Sequence, residues 1–259
     1  WINYQIDSRT VEGTNKTLLD GWAKDYGEDS DFVKVRVRGV FPSSSASQFI
    51  ELHLIDAAFG KHLEKEKYEH APVIISCDPA WTGDDDLVIA MRKGLYFKIL
   101  HVMPKNDNDA VPAELIARFE DEYQADAVFI DLGHGTGIYS FGKNMGRDWQ
   151  LIPFGGKSAS PAYKNKRAEM WGLTREWLKD GGAIPPDNQL RDDLKAPEIM
   201  PTNDGIIQLE PKDAIKKRLG FSPNKADALA LTFARPVRKR DRIAEDMRNY
   251  NQDNYDPLN

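Results

Sequence analysis

The first apolar pattern along the chain is helical. Between Lys16 and Tyr26, Leu18, Leu19 and Trp22 recur at helical spacing, and Gly27 supplies a stop. From Phe32 to Val40 the pattern alternates. Val33, Val35 and Val37 face one way and Lys34, Arg36 and Arg38 the other, which predicts a half-buried strand. Pro42-Ser43-Ser44-Ser45 then reads as a linker, and Gln48 to Phe59 as a helix. Past Pro72 the character changes. Val73 to Cys77 is a nearly continuous apolar run, the pattern of a strand covered on both faces. Leu87–Met91 and Tyr96–Val102 follow as strands joined by a turn at Arg92-Lys93-Gly94.

A helix with Pro112 near its start carries Leu115, Ile116, Phe119 and Tyr123. Two more buried strands are predicted, Ala127–Ile130 and Gln150–Phe154. A long helix from about Tyr163 to Lys179 stripes Met170, Leu173, Thr174, Trp177 and Leu178 and ends at Gly181-Gly182. Ile199 to Gln208 reads as a hairpin about Asn203-Asp204-Gly205. A last helix takes Ser222 as its cap, starts at Pro223, and turns Ala226, Leu229, Ala230 and Phe233 inward. Three strands in hairpin order, then helices and strands in alternation, predict an α/β fold on a mixed sheet.

Composition narrows the setting. The 259 residues are 41% hydrophobic, enough for a sizeable core, and no apolar run approaches a membrane span. The single cysteine, Cys77, excludes an internal disulfide and fits a reducing compartment. The sequence starts at Trp1 with no methionine and no signal-peptide pattern, so it reads as a piece of a longer chain. A net charge of −6 argues against a nucleic-acid partner until the charges are placed. Residues 140–180 carry 8 basic and 4 acidic side chains, and residues 211–242 carry 10 and 3. Two segments can therefore present a basic surface on an acidic chain.

Three acids stand out by position. Asp78 ends the first buried strand and Asp131 the second, and ligands of open α/β sheets sit beyond the carboxyl ends of strands. Asp227 lies in the first turns of the last helix, beside its apolar stripe. Three carboxylates in one pocket need compensation, because a like pair about 4 Å apart costs about 4 kcal/mol at an effective dielectric near 20. Protonation, a Lys or Arg, or divalent cations could supply it, and with no histidine or cysteine pattern of a soft site nearby, all-oxygen ligands favour Mg²⁺ or Mn²⁺ among the ions. Two such ions form the clamp for in-line attack on a phosphodiester.

These acids sit in blocks that resemble the nuclease domain of the large terminase subunit of tailed bacteriophages. The blocks are Asp78-Pro79-Ala80-Trp81-Thr82-Gly83-Asp84-Asp85, Ile130-Asp131-Leu132-Gly133-His134-Gly135-Thr136-Gly137, and Asn224-Lys225-Ala226-Asp227-Ala228-Leu229-Ala230-Leu231. Upstream, Tyr26 to Asp31 and Val35 to Pro42 resemble that family's junction between motor ATPase and nuclease. The similarity spans about residues 20–235. It implies an RNase H-like mixed five-stranded sheet flanked by helices with an added β-hairpin. It also implies an endonuclease that cuts concatemeric double-stranded viral DNA during packaging. Asp78, Asp131 and Asp227 would be catalytic and bind two divalent cations, Mg or Mn, with Asp84 as a further ligand; Asp85 could serve instead.

The resemblance divides the chain into a remnant of the ATPase domain or linker at 1–45, a linker helix at 46–70, the nuclease at 71–235 and a mobile polar tail at 236–259. No Gly-x-x-x-x-Gly-Lys-Ser/Thr loop occurs, so no ATPase activity is expected of this piece. Expected partners are double-stranded DNA, the chain's own ATPase domain, the portal and the small terminase subunit, with no membrane, in the bacterial host cytoplasm. Lys157, Lys164, Lys166, Arg167, Lys212, Lys216 and Lys217 are the candidate DNA contacts, or else an ordinary solvated face. His134 could assist water or the leaving group. Trp171 and Trp177 are expected in the core, and the hairpin near Asp204 could guide DNA.

Two other classes compete. The run Asp131 to Gly137 resembles the first motif of S-adenosylmethionine-dependent methyltransferases, although the chain before it is too long and the next strand ends in Gly155-Gly156 instead of an acid. A non-catalytic module that docks to the packaging motor would keep the fold without needing the three acids.

Overall fold

The computed structural model describes residues 4–41, 47–79, 85–104, 107–200, 202 and 205–241. Two helices come first, α1 (Lys16–Tyr26) and α2 (Asp31–Arg36). The second corrects the strand expected at 32–40. Val33 and Val37 are fully buried while Val35 is 48% exposed, so the stripe is i, i+4 and not i, i+2. The Ser30 hydroxyl accepts from the Val33 amide and starts the helix. Leu19, Ala23, Val33 and Val37 form their own small core, separate from the cores on the sheet.

Helix α3 (Leu52–Ala58) is shorter than the 48–59 expected. Phe49, Ile50 and Ile55 are buried in one core with the sheet.

The sheet has five strands: β1 (Val73–Asp78), β2 (Asp86–Lys93), β3 (Tyr96–Pro104), then after α4 (Ala110–Tyr123) β4 (Ala127–Asp131), and after α5 (Leu132–Asn144) β5 (Gln150–Ile152). Their order is β3-β2-β1-β4-β5. β1 pairs antiparallel to β2 and parallel to β4, and β4 pairs parallel to β5, so the sheet is mixed as expected. The continuous apolar run of β1 is buried at every position because both faces are covered. Ile75, Cys77 and Ile130 face α4 and α5. Ile74 and Phe129 face the core that holds the remaining helices.

Those helices are α6 (Lys166–Lys179), α7 (Asn188–Lys195), α8 (Lys212–Leu219) and α9 (Asn224–Leu231), with the hairpin β6 (Ile199–Met200) and β7 (Gln208–Leu209) between α7 and α8. The hairpin is where the pattern placed it, though Asn203 and Asp204 lie outside the described residues. Helix α6 turns Met170, Trp171, Thr174, Trp177 and Leu178 inward and leaves Leu173 41% exposed, so Trp171 takes the place expected for Leu173. Among the described residues no helix is long and apolar enough to cross a membrane.

Candidate active site

Asp78 and Asp131 are the last residues of neighbouring parallel strands, so both stand at the carboxyl edge of the sheet. They share the parity of Ile74 and Phe129 and therefore face the helix α9 side. Helix α9 is tied to β1 by one bond: the Ser76 hydroxyl donates to the Ala228 carbonyl at 2.7 Å. Ser76 lies two residues before Asp78, and Ala228 follows Asp227. This bond sets Asp227 over the end of β1. The site thus joins three acids separated by 53 and 96 positions in the chain.

The surroundings differ at each acid. Asp227 is fully buried. Its Oδ1 accepts from the Trp171 indole at 2.8 Å and from Arg167 Nε at 3.3 Å. Its Oδ2 lies 3.4 Å from Lys212 Nζ. Burial pushes its pKa up, but the Arg167 guanidinium and the Lys212 ammonium outweigh burial, and Asp227 stays below the ordinary carboxylate range. Asp78 is 1% exposed, and its Oδ2 accepts from Lys212 at 3.1 Å. Burial pushes its pKa up to about 7 against the pull of Lys212, with Asp227 and Asp131 adding repulsion. Asp131 is the most open of the three and is raised chiefly by burial. It also caps α5, its Oδ1 accepting from the Gly133 amide at 3.3 Å.

Two buried oxygens, Asp78 Oδ1 and Asp227 Oδ2, accept no well-formed hydrogen bond among the described residues, Asp227 Oδ2 having only the Lys212 ammonium at 3.4 Å. An orphaned buried acceptor is costly in a folded protein, and hard oxygen donors of this kind suit a divalent cation. The three acids are nonetheless not drawn into a ready cage. Among the described residues no three His, Cys, Asp or Glu side chains stand close enough together to hold an ion. The Lys212 ammonium lies between Asp78 and Asp227 instead and supplies the compensating charge.

Several sequence expectations shift here. Arg167 is buried, with Nη1 donating to the Glu210 carbonyl at 2.9 Å, so it supports Asp227 from inside and is not a surface cation. Lys212 is drawn into the acid site. Lys216 pairs with Asp85 at 2.8 Å, and Lys166 with Glu169 at 3.0 Å. Lys157, Lys164 and Lys217 are exposed. Asp84 lies outside the described residues. His134 is half-buried in the first turn of α5.

The run Gly133 to Gly137 forms the start of α5, not a loop. A Cβ on Gly135 would lie 2.3 Å from Ile130 Cγ2, so the glycine lets the helix lie against β4. Ser222 does not cap α9. The Asp193 carboxylate of α7 does so from 32 residues away, accepting from the Lys225 amide at 2.9 Å. The sequence pattern places Trp171 in the core, where a buried indole N–H requires an acceptor. That requirement was the available sign of its second role.

No family model and no curated protein matches the chain. Solved structures share its fold. A mutant gp2c of the large terminase subunit from bacteriophage Sf6, with calcium, is 22% identical at a TM-score of 0.56, over 72% of this chain and 99% of that one. The large terminase nuclease of thermophilic phage G20c, with bound magnesium, is 14% identical at 0.51, over 74% and 98%. The large terminase nuclease domain of Thermus phage P74-26 is 18% identical at 0.50, over 70% and 93%. The fold is therefore the RNase H-like mixed sheet that the motif resemblance implied.

Proposed function

We propose that the chain is a divalent-metal-dependent endonuclease that cleaves concatemeric double-stranded viral DNA during genome packaging. One observation carries the reading. Asp78 and Asp227 share the Lys212 ammonium, and one buried oxygen of each accepts no hydrogen bond, at the carboxyl edge of the sheet where Asp131 ends the neighbouring strand. Three solved structures of this fold, all from large terminase subunits, hold calcium, manganese or magnesium, which supports the same reading.

Asp78, Asp131 and Asp227 would hold two ions, with Asp84 as a further ligand. Such ions supply an activated water and stabilise the charge that develops during in-line displacement at phosphorus. Trp171 and Arg167 occupy Oδ1 of Asp227 and so hold its Oδ2 toward the site. Lys212 keeps the buried acids compensated when no ion is bound, and it must yield its place when one binds. Phosphate contacts from Lys157, Lys164 and Lys217 give affinity without sequence information, which fits cutting with low sequence preference.

In this reading residues 1–45 are a remnant of an ATPase domain or its linker, and the portal and small subunit are partners of the longer protein in the host cytoplasm. Nicking of supercoiled plasmid in Mn²⁺ tests the activity. Asp78→Asn, Asp131→Asn and Asp227→Asn should each abolish nicking while circular dichroism stays unchanged. Retained nicking by pure Asp78→Asn protein overturns the assignment. Stoichiometric S-adenosylmethionine binding, or full docking to a portal with no cleavage by the wild type, would favour the other two classes.

A further inference from the structure

Beside the acid site, on the far side of α6, two cavities of about 280 and 390 Å³ meet. Ala159, Lys166, Ala234 and Arg235 line both, so they form one trough. One wall is the loop that follows β5. The other is the chain that leaves α9. The floor is apolar, with Ile152, Phe233 and Val237 among its residues.

The rim is cationic, carrying Lys157, Lys166 and Arg235 against one acid, Glu169. The loop wall is fixed. Glu169 Oε2 accepts from the Ala159 amide at 3.1 Å and from Lys166 Nζ at 3.0 Å, and the Lys166 amide donates to the Gly156 carbonyl at 2.7 Å. Lys157 and Arg235 are exposed and make no ion pair among the described residues. A positive trough on a chain of net charge −6 is a local arrangement that the total conceals.

Its position relates it to the acids. Ile152 is the register partner of Asp131 on the neighbouring parallel strand, and adjacent strands lie about 4.8 Å apart. The trough thus starts one strand away from a catalytic carboxylate, on the same face of the sheet.

We propose that this trough seats the sugar–phosphate backbone of the DNA substrate a few nucleotides from the bond to be cut. Phosphates sit on Lys157, Lys166 and Arg235, and the apolar floor carries the deoxyribose. The inference rests on the nuclease reading and adds a discrete seat for the uncut part of the strand. It also assigns Arg235 to DNA binding.

The test measures binding of a fluorescent 30-base-pair duplex across a salt series with EDTA present, so cleavage plays no part. Lys157→Ala/Arg235→Ala should reduce the slope of log K against log salt by about 1.8, since each lost phosphate contact removes about 0.9. Lys98→Ala/Arg118→Ala removes the same charge from β3 and α4 and should leave the slope near that of wild type. Equal slopes for the two double variants would overturn the trough while leaving the nuclease reading intact. Absence of salt-dependent DNA binding by the wild type would overturn both. Matching melting temperatures among the three proteins exclude misfolding as the cause of a change.

Discussion

Replacing Lys212 with methionine tests how the acid site is held together. The ammonium lies 3.1 Å from Asp78 and 3.4 Å from Asp227. At an effective dielectric near 20, each contact is worth about 5 kcal/mol of attraction. Removing the ammonium from water cancels most of that gain. The Lys212 side chain also keeps 34% of its surface, so solvent screens the pair further. A net loss of about 2–3 kcal/mol follows for Lys212→Met without metal, or a fall in Tm of about 5–10 °C for a domain of this size.

The loss should depend on pH. Asp78 titrates near 7 with Lys212 in place, above its unfolded value, and rises further without it. A carboxyl raised on folding contributes stability that is lost as pH rises through its folded pKa. The variant's deficit should therefore be small at pH 6 and largest near pH 8. Mn²⁺ should raise the variant's Tm more than that of wild type, because no ammonium has to be displaced. Thermal melts at pH 6 and 8, in EDTA and in Mn²⁺, measure all of this. A deficit of equal size at both pH values, with the same Mn²⁺ shift in both proteins, would refute the reasoning.

Trp171→Phe removes the 2.8 Å donor to Asp227 and should cost about 1.5–3 kcal/mol in urea denaturation while raising the Mn²⁺ needed for half-maximal nicking. An unchanged Mn²⁺ requirement would show that the indole only fills space. Asp193 is fully buried, and burial pushes its pKa up to about 8, so wild-type stability should fall as pH rises through 8. Asp193→Asn keeps the acceptor for the Lys225 amide but cannot ionise. It should flatten that fall, and identical pH–stability curves for variant and wild type would count against it. Gly135→Ala forces a methyl against Ile130 and should cost about 1–2 kcal/mol by chemical denaturation, even though alanine is the better helix former.

The five strands of the sheet, about half of the helices and three candidate acids are legible in the sequence, although its pattern over 32–40 also reads as a strand where the chain is helical. Buried strands such as Val73–Cys77 declare themselves because both faces are covered, and a strand end is a local event that leaves Asp78 and Asp131 in plain view. Short amphipathic segments were less legible. Val33 and Val37 satisfy both periods, so the Ser30 cap and packing against Leu19 and Ala23 chose the helix. Helix α8 buries a single apolar residue, Ile215, and offers almost no periodic signal.

What surrounds the acids was settled by packing between distant segments. Lys212 and Asp78 are 134 positions apart, Trp171 and Asp227 are 56 apart, and Asp193 caps a helix it does not belong to. Charge and hydrogen-bonding capacity are written in the residue types. Which charge faces which acid is decided where buried groups from distant segments must satisfy one another, and that decision moved Arg167 and Lys212 from the expected surface into the site.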